Sequence, residues 1–242
     1  MSGHSHAKTV KRKKDASAIQ RSKMFAKLSK ELAIVSRESG SDPASNPRLR
    51  MIIEKARSFN MPSDNIDRAI KRGSGEGETA HLEEILLDAY GPGGAAVLIL
   101  SITDNKKRAL GEIKQVVDRA GGKLVEEGAV RWMFARKGVL VLAPEQGSFS
   151  QDDLELAAIE AGAEDTLRYQ DGALEIICDP TRLSQVQEAL AAKGITAEEA
   201  AIEWVPKERV ALSEEDQAKY EAFSDALDEH EDVQEVYSNT AS

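Results

Sequence analysis

Several residues in this chain have the right chemical types for a reaction or a metal site, and each lacks the partners that the chemistry needs. His4 and His6 offer two imidazoles near a chain end, which are insufficient without a third ligand. Cys178, the single cysteine, follows the apolar pair Ile176 and Ile177. It has no basic neighbour in sequence to make it a thiolate, and alone it forms no internal disulfide, which suits a reducing compartment. His81 and His230 stand isolated. Gly73-x-Gly75-x-Gly77 follows a helical pattern and lacks the Lys-Ser/Thr ending of a phosphate loop, as does Gly91-Pro92-Gly93-Gly94. For the latter, a tight turn is the first reading and close backbone approach to a partner the second. Carboxylates are spread along residues 151–161 and 213–230 as solubility requires, with no pair marked out as acid and base. The expectation is a protein that is not an enzyme, with no metal, no cofactor and no small-molecule substrate.

The chemistry that remains is charge. The chain carries 32 Lys/Arg against 42 Asp/Glu, a net of −10, but the distribution is uneven. Residues 1–75 hold 17 basic and 7 acidic side chains, and the remainder holds 15 basic against 35 acidic. A basic head on an acidic body points to polyanion binding by the head. The blander reading is a head neutralised by the molecule's own acidic half. The tail supplies Lys8, Lys11, Arg12, Lys13 and Lys14; the first helical pattern adds Arg21 and Lys23, with Lys27 and Lys30 on its outer faces. Arg48 and Arg50, then Arg68, Lys71 and Arg72, with Lys55 and Arg57, extend the candidate surface. Such residues contact phosphate without reading bases. Only Phe25 and Phe59 are aromatic in residues 1–75, and stacking platforms need exposed aromatics. Backbone and shape recognition is therefore expected, which leaves duplex DNA and folded RNA equally open.

These residues need elements to hold them. The spacing of Phe25, Leu28, Leu32 and Val35 predicts a helix over 15–37, stopped by Ser39-Gly40-Ser41-Asp42-Pro43. Asn46 as cap and Pro47 at the first position open a second helix, with Leu49, Ile52, Ile53 and Ala56 inward. Met61-Pro62-Ser63-Asp64 opens a third with Ile66, Ala69 and Ile70 inward, closed by Gly73. Residues 73–81 read as a linker. Strands are then expected at 85–90, 95–103 and 130–135, with a helix over 109–120. A strand–helix–strand–strand–helix–strand unit follows (138–143, 151–161, 165–170, 173–178, 181–193, 199–205), turning at Asp171-Gly172. That is the ferredoxin-like order. A helix at 213–230 and a strand at 233–237 complete the chain. The expected class is a multidomain α+β fold. It comprises a three-helix domain (1–75), a discontinuous α+β domain (82–135 and 207–242), and a ferredoxin-like domain (136–206) inserted into the second. No stretch approaches the 18 apolar residues of a membrane span, and the opening residues have no secretory h-region.

Several motifs in order resemble the YebC family. They are Gly3-His4-Ser5, Asn46-Pro47-Arg48-Leu49-Arg50, Asn60-Met61-Pro62, Arg68-Ala69-Ile70-Lys71-Arg72-Gly73, and Tyr90-Gly91-Pro92-Gly93-Gly94. Thr103-Asp104-Asn105 with Arg108, Glu160 to Asp165, and Asp232 to Tyr237 extend the resemblance nearly end to end. It implies a helical domain and two α+β domains, one inserted in the other. It also implies that the basic N-terminus belongs to the mature protein rather than to a transit peptide. His6 and Ala7 depart from the family's usual Lys-Trp. Members are usually described as probable transcriptional regulators, a mitochondrial relative as a translational activator of cytochrome c oxidase, and some members are linked to ribosomes stalled on proline-rich nascent chains. Two expectations follow: a cytoplasmic DNA-binding regulator of transcription, or a ribosome-associated factor whose head grips ribosomal RNA. Charge serves both. The lack of an evident base-reading helix-turn-helix favours the second on physical grounds, and family convention favours the first.

Overall fold

The computed structural model describes residues 18–75, 81–144, 146, 149–169 and 171–241. Helix α1 (Ala18–Ser39) buries Leu28, Leu32 and Val35, spaced so that one stripe faces inward. It ends at Gly40, whose φ of +92° is open to glycine at little cost. Helix α2 (Pro47–Ser58) starts where the sequence places it. The Asn46 side chain accepts from Leu49 N at 3.0 Å and donates to Gly40 O at 2.7 Å, so one buried amide caps α2 and fastens the end of α1. Asn60 adopts φ 59°, a left-handed conformation that asparagine tolerates, and this turn tucks Met61 into the core before α3 (Ser63–Gly73). The head's core of Leu28, Leu32, Leu49, Ile53 and Ile66 also takes in Ile102 from outside the head.

Sheet one is antiparallel, in the order β3-β1-β2-β9, from β1 (Glu83–Tyr90), β2 (Ala96–Thr103), β3 (Lys123–Leu124) and β9 (Val233–Ser238). Strand β2 reads as a continuous apolar run because both its faces are covered. Val97 and Ile99 pack under α4 (Lys106–Arg119) and α7 (Glu214–Asp228), with Tyr220 and Phe223; Ala96 and Leu98 meet Val130 and Phe134 on the other side. Sheet two has the order β5-β6-β4-β7, all neighbours antiparallel, from β4 (Phe134–Leu142), β5 (Asp165–Arg168), β6 (Leu174–Cys178) and β7 (Ala197–Pro206). Helices α5 (Gln151–Ala161) and α6 (Leu183–Ala192) pack on it, the ferredoxin-like arrangement. The chain thus leaves sheet one after β3, builds sheet two, and returns to sheet one with β9. Short strands β8 (Val210–Ala211) and β10 (Thr240–Ala241) pair in parallel. The fold is α+β.

Three local expectations need correction. Residues 130–135 do not form a strand of their own. Arg131–Met133 is a 3₁₀ turn, and Phe134 begins a single strand that runs to Leu142, across the expected boundary at 135/136. The cause is Asp88, whose buried carboxylate accepts from the backbone N–H groups of Gly128, Val130 and Arg131 and so curls this segment. Helix α4 starts at Lys106 rather than 109, because the Asn105 side chain accepts from Arg108 N at 3.1 Å and serves as its cap. Gly73 is the last residue of α3 rather than the start of a linker. A Cβ there would lie 2.1 Å from Ala33 O, so the glycine lets α3 touch α1.

Candidate nucleic-acid interface

The basic side chains of the head fall into two sets with different electrostatic fates. Lys23, Lys27 and Lys30 recur at i, i+4 and i+7, so they share one face of α1. That face meets the C-terminal end of α7. Lys27 Nζ, on a residue 8% exposed, donates to Asp228 O at 2.9 Å, and Lys30 Nζ donates to Glu231 O at 3.0 Å. These carbonyls stand at and beyond the negative end of a helix, where unfilled acceptors attract cations. Lys23 pairs with Glu229, and Lys30 with Asp232 at 2.5 Å. On α2, Arg48 reaches Glu84 at 2.8 Å and Glu38 at 3.4 Å, and Lys55 reaches Glu235 at 2.9 Å. Lys23, with a side chain 44% exposed, pairs at the rim of this seam, and Arg48 lies half-buried along it. Lys27, expected on an outer face, is nearly buried.

The second set faces outward. Arg21, Arg50, Arg57, Arg68, Lys71 and Arg72 are exposed, and none has a carboxylate within ion-pair distance among the described residues. Arg50 donates to the carbonyls of Pro43 and Ala44, and Arg68 to Asp64 O and the Asn65 side chain. Those acceptors carry no net charge, so both guanidinium groups are oriented without being neutralised. The tail residues Lys8, Lys11, Arg12, Lys13 and Lys14 lie outside the described residues.

Where the head, sheet one and sheet two meet, a cavity of 170 Å³ is lined by charged residues of all three, among them Glu31, Lys55, Glu203 and Glu235. Burial pushes the Glu203 carboxyl up to about 8, aided by the negative charges of Glu235 and Glu175. Burial also raises Glu31. Burial alone would depress Lys55, but Glu235 and Glu31 outweigh it and hold the ammonium charged. Cys178 is buried and its thiol is pushed up to about 11, chiefly by burial. At the exposed Gly93 (φ 69°) an added Cβ would meet Leu212 at 2.8 Å, whereas at the exposed Gly94 (φ 77°) it would meet nothing within 4 Å. No group of three or more His, Cys, Asp or Glu residues that could hold a metal occurs among the described residues. No described helix is long and apolar enough to cross a membrane.

Sequence reasoning missed the seam, although its signal was present. Three lysines at helical spacing in α1 face an acidic run, Asp228 to Asp232, some two hundred residues away. The family motifs Thr103-Asp104-Asn105, Arg108 and Asp232 also prove to be one node: Asp232 Oδ2 accepts from Thr103 Oγ1 and from Arg108, each at 3.1 Å.

Comparison with known proteins completes the picture. Residues 5–76 match the model described as the TACO1/YebC protein N-terminal domain, and residues 82–240 match the model of the TACO1/YebC second and third domain. A probable transcriptional regulatory protein of Caldanaerobacter subterraneus is 44% identical over 239 residues, covering 99% of this chain and 98% of that protein. One from Shewanella oneidensis is 43% identical, covering 99% and 95%. The crystal structure of a conserved hypothetical protein, Aq1575, from Aquifex aeolicus superposes with a TM-score of 0.86 at 39% identity, covering 93% of this chain and 91% of that one.

Proposed function

The chain belongs to the TACO1/YebC family, and on that premise we propose that it is a non-enzymatic, cytoplasmic regulator of gene expression that binds nucleic acid through residues 1–75. The first reading is a DNA-binding regulator of transcription, in line with the names of its relatives. One observation carries the binding role: the head's cations are sorted. Those facing the body are neutralised by Glu84, Glu229, Asp232 and Glu235. Those facing away, Arg21, Arg50, Arg57, Arg68, Lys71 and Arg72, keep their charge. A helical face neutralised by its own acidic half would leave no such outward remainder. In this reading Lys8, Lys11, Arg12, Lys13 and Lys14 extend the outward face as a phosphate-gripping arm. Residues 82–135 with 207–242, and the inserted 136–206, form the acidic body.

A second reading, a ribosome-associated translation factor gripping ribosomal RNA, is favoured by how the head is mounted. Helices α1 and α2 are pinned by ion pairs and by Ile102 against the body, so neither is free to enter a major groove. Phosphate and shape recognition fits that constraint.

The test is full-length protein titrated with duplex DNA and with a ribosomal RNA fragment across a range of salt, beside sucrose-gradient sedimentation of a lysate. Binding by contact with phosphates gives a log–log salt slope of about −0.9 per phosphate on duplex DNA. Charge reversal at Lys11, Arg12, Lys13 and Lys14 should abolish binding to either probe. Salt-resistant preference for one duplex over shuffled sequence would overturn the phosphate mode. Absence from ribosomal fractions at low salt would remove the second reading.

A further inference from the structure

Helices α1 and α3 end close together in the head, at Ser39 and Gly73, and a cleft of 450 Å³ opens between these ends and the entry to β1. That volume lies in the range of ligand sites, about 300–1,000 Å³. Among the described residues its lining holds two guanidinium groups, Arg37 and Arg72, and no carboxylate. A lining free of acids stands out in a chain whose net charge is −10. Both arginines are exposed. Gly40 (φ +92°) and Gly75 (φ +90°) also line the cleft, and on neither would an added Cβ meet an atom within 4 Å. The lining is therefore bare backbone at these two points, which a ligand can approach closely.

Two helix C-termini repel an anion, each with a charge of roughly −0.5, so two arginines against two such ends leave about +1. The terminal carbonyls are also filled from within the chain. Ser36 O accepts from Gly40 N at 3.0 Å, and Ile70 O from Ser74 N at 3.0 Å and Ser36 Oγ at 3.1 Å. Lys71 O accepts from Ser74 Oγ at 2.9 Å. Arg37 gives one N–H to Leu82 O at 2.5 Å, which aims its guanidinium and leaves four donors. The neighbouring acids are engaged elsewhere: Glu38 turns to Arg48 at 3.4 Å, Asp42 accepts from Ala44 N at 2.9 Å, and Glu83 stands 3.9 Å from His81 at the mouth. Glu76 and Glu78 lie outside the described residues.

We propose that this cleft seats one nucleotide unit of the strand that the head grips, its phosphate held by Arg37 and Arg72; this rests on the nucleic-acid reading above. Guanidinium groups present forked donors that match phosphate oxygens. The cleft is larger than a phosphate needs, and Ala33, Ile34 and Leu82 in its lining give the attached sugar an apolar wall. A duplex keeps its nucleotides stacked and paired, so only a loop, bulge or strand end lets one enter a cleft. The site therefore names the ligand class that charge alone leaves open.

The chain has four histidines, and the His81 ring resonance of the full chain, assigned by its loss in His81→Asn, reports on the cleft. The probes are adenosine 5′-monophosphate, a short unstructured RNA and a duplex DNA of equal length, the last two end-labelled so that anisotropy follows binding. Expected is a saturable shift of the His81 resonance with the mononucleotide and with RNA. It should vanish in Arg37→Gln with Arg72→Gln and persist in Arg37→Lys with Arg72→Lys, with melting temperatures within error. Arg37→Gln should weaken RNA binding at least about tenfold and duplex binding far less. Arg21→Gln, about 24 Å away along α1, should weaken both alike and only slightly. Glu76→Gln with Glu78→Gln should bind RNA at least as tightly as the unaltered chain; weaker binding would place the acids, not the arginines, at the site and overturn it. A resonance unmoved by mononucleotide and by RNA overturns the cleft and leaves the nucleic-acid reading standing. A shift with the mononucleotide while Arg37→Gln binds RNA normally assigns the cleft to free nucleotides and overturns its part in strand binding. Failure of the full chain to bind either nucleic acid overturns both the reading and the strand-bound cleft.

Discussion

Lys30 Nζ lies 2.5 Å from Asp232 Oδ1, joining the first helix of the head to the residue that opens β9. The Asp232 side chain is 1% exposed and also accepts from Thr103 and Arg108. Burial alone would raise its pKa, but the hydrogen bonds from Lys30 and Arg108 pull it below the usual carboxylate value of 3.8. A depressed folded pKa contributes stability above the unfolded value that is lost as pH falls through the folded one. Asp232→Ala should therefore destabilise the chain by about 2–3 kcal/mol near neutrality, less than a fully buried pair because both cations are partly exposed. Denaturant melts as a function of pH check this: the gap between variant and wild type should shrink on acidification below about 3.8.

The sorting of head cations predicts a clean separation of effects. Lys71→Glu with Arg72→Glu should weaken nucleic-acid binding, flatten its salt slope by about 0.9 per lost duplex phosphate contact, and leave the melting temperature within error. Lys27→Glu should do the reverse, because it places a carboxylate on the Asp228 carbonyl at the negative end of α7. Titration and melting of both variants in parallel decide the matter. Equal effects on binding would merge the two sets.

Glu203 makes the junction of head and body sensitive to mild alkali. With a folded value of about 8 against the ordinary 4.5 of a glutamate, the folded chain holds a proton that the unfolded chain releases. Stability should therefore fall as pH rises from about 5 to about 8. One pKa unit corresponds to about 1.4 kcal/mol, so even part of the shift is measurable. Glu203→Gln should flatten this limb of the pH–stability curve and be the more stable form at pH 9. A limb unchanged in Glu203→Gln would assign the effect to another group.

Gly73→Ala tests the close approach of α3 to α1. The added methyl would fall 2.1 Å from Ala33 O, a backbone atom that moves only with its helix. A loss of about 1–3 kcal/mol is expected despite alanine's better helix propensity. Chemical denaturation measures it; a neutral or stabilising result would mean that the two helices part freely.

Much of this fold was legible in the sequence wherever the determining contact is local. Asn46 with Pro47, Gly40, and the alternation of residues 138–205 rest on capping, left-handed backbone and apolar period, and all of these act within a few residues. The misreadings share a different cause. Residues 130–135 have strand composition, yet the Asp88 carboxylate, some forty residues earlier, supplies the acceptors that curl them. Lys23, Lys27 and Lys30 look like solvated charge until the acids and carbonyls at 228–232 are brought against them.

The sequence by itself determined the order of elements, the excess of positive charge in residues 1–75 and the family. Each is a sum or a short-range pattern that survives without knowing where the chain goes. Tertiary structure alone decided which cations remain available, because pairing depends on distances between residues far apart in sequence. Lys30 and Arg48 end on carboxylates of the body, whereas Lys71 and Arg72 face water. The exposure of Trp132 was likewise decided by tertiary structure. Only the Asp88-bound turn, with Lys207 beside it, puts its ring in solvent.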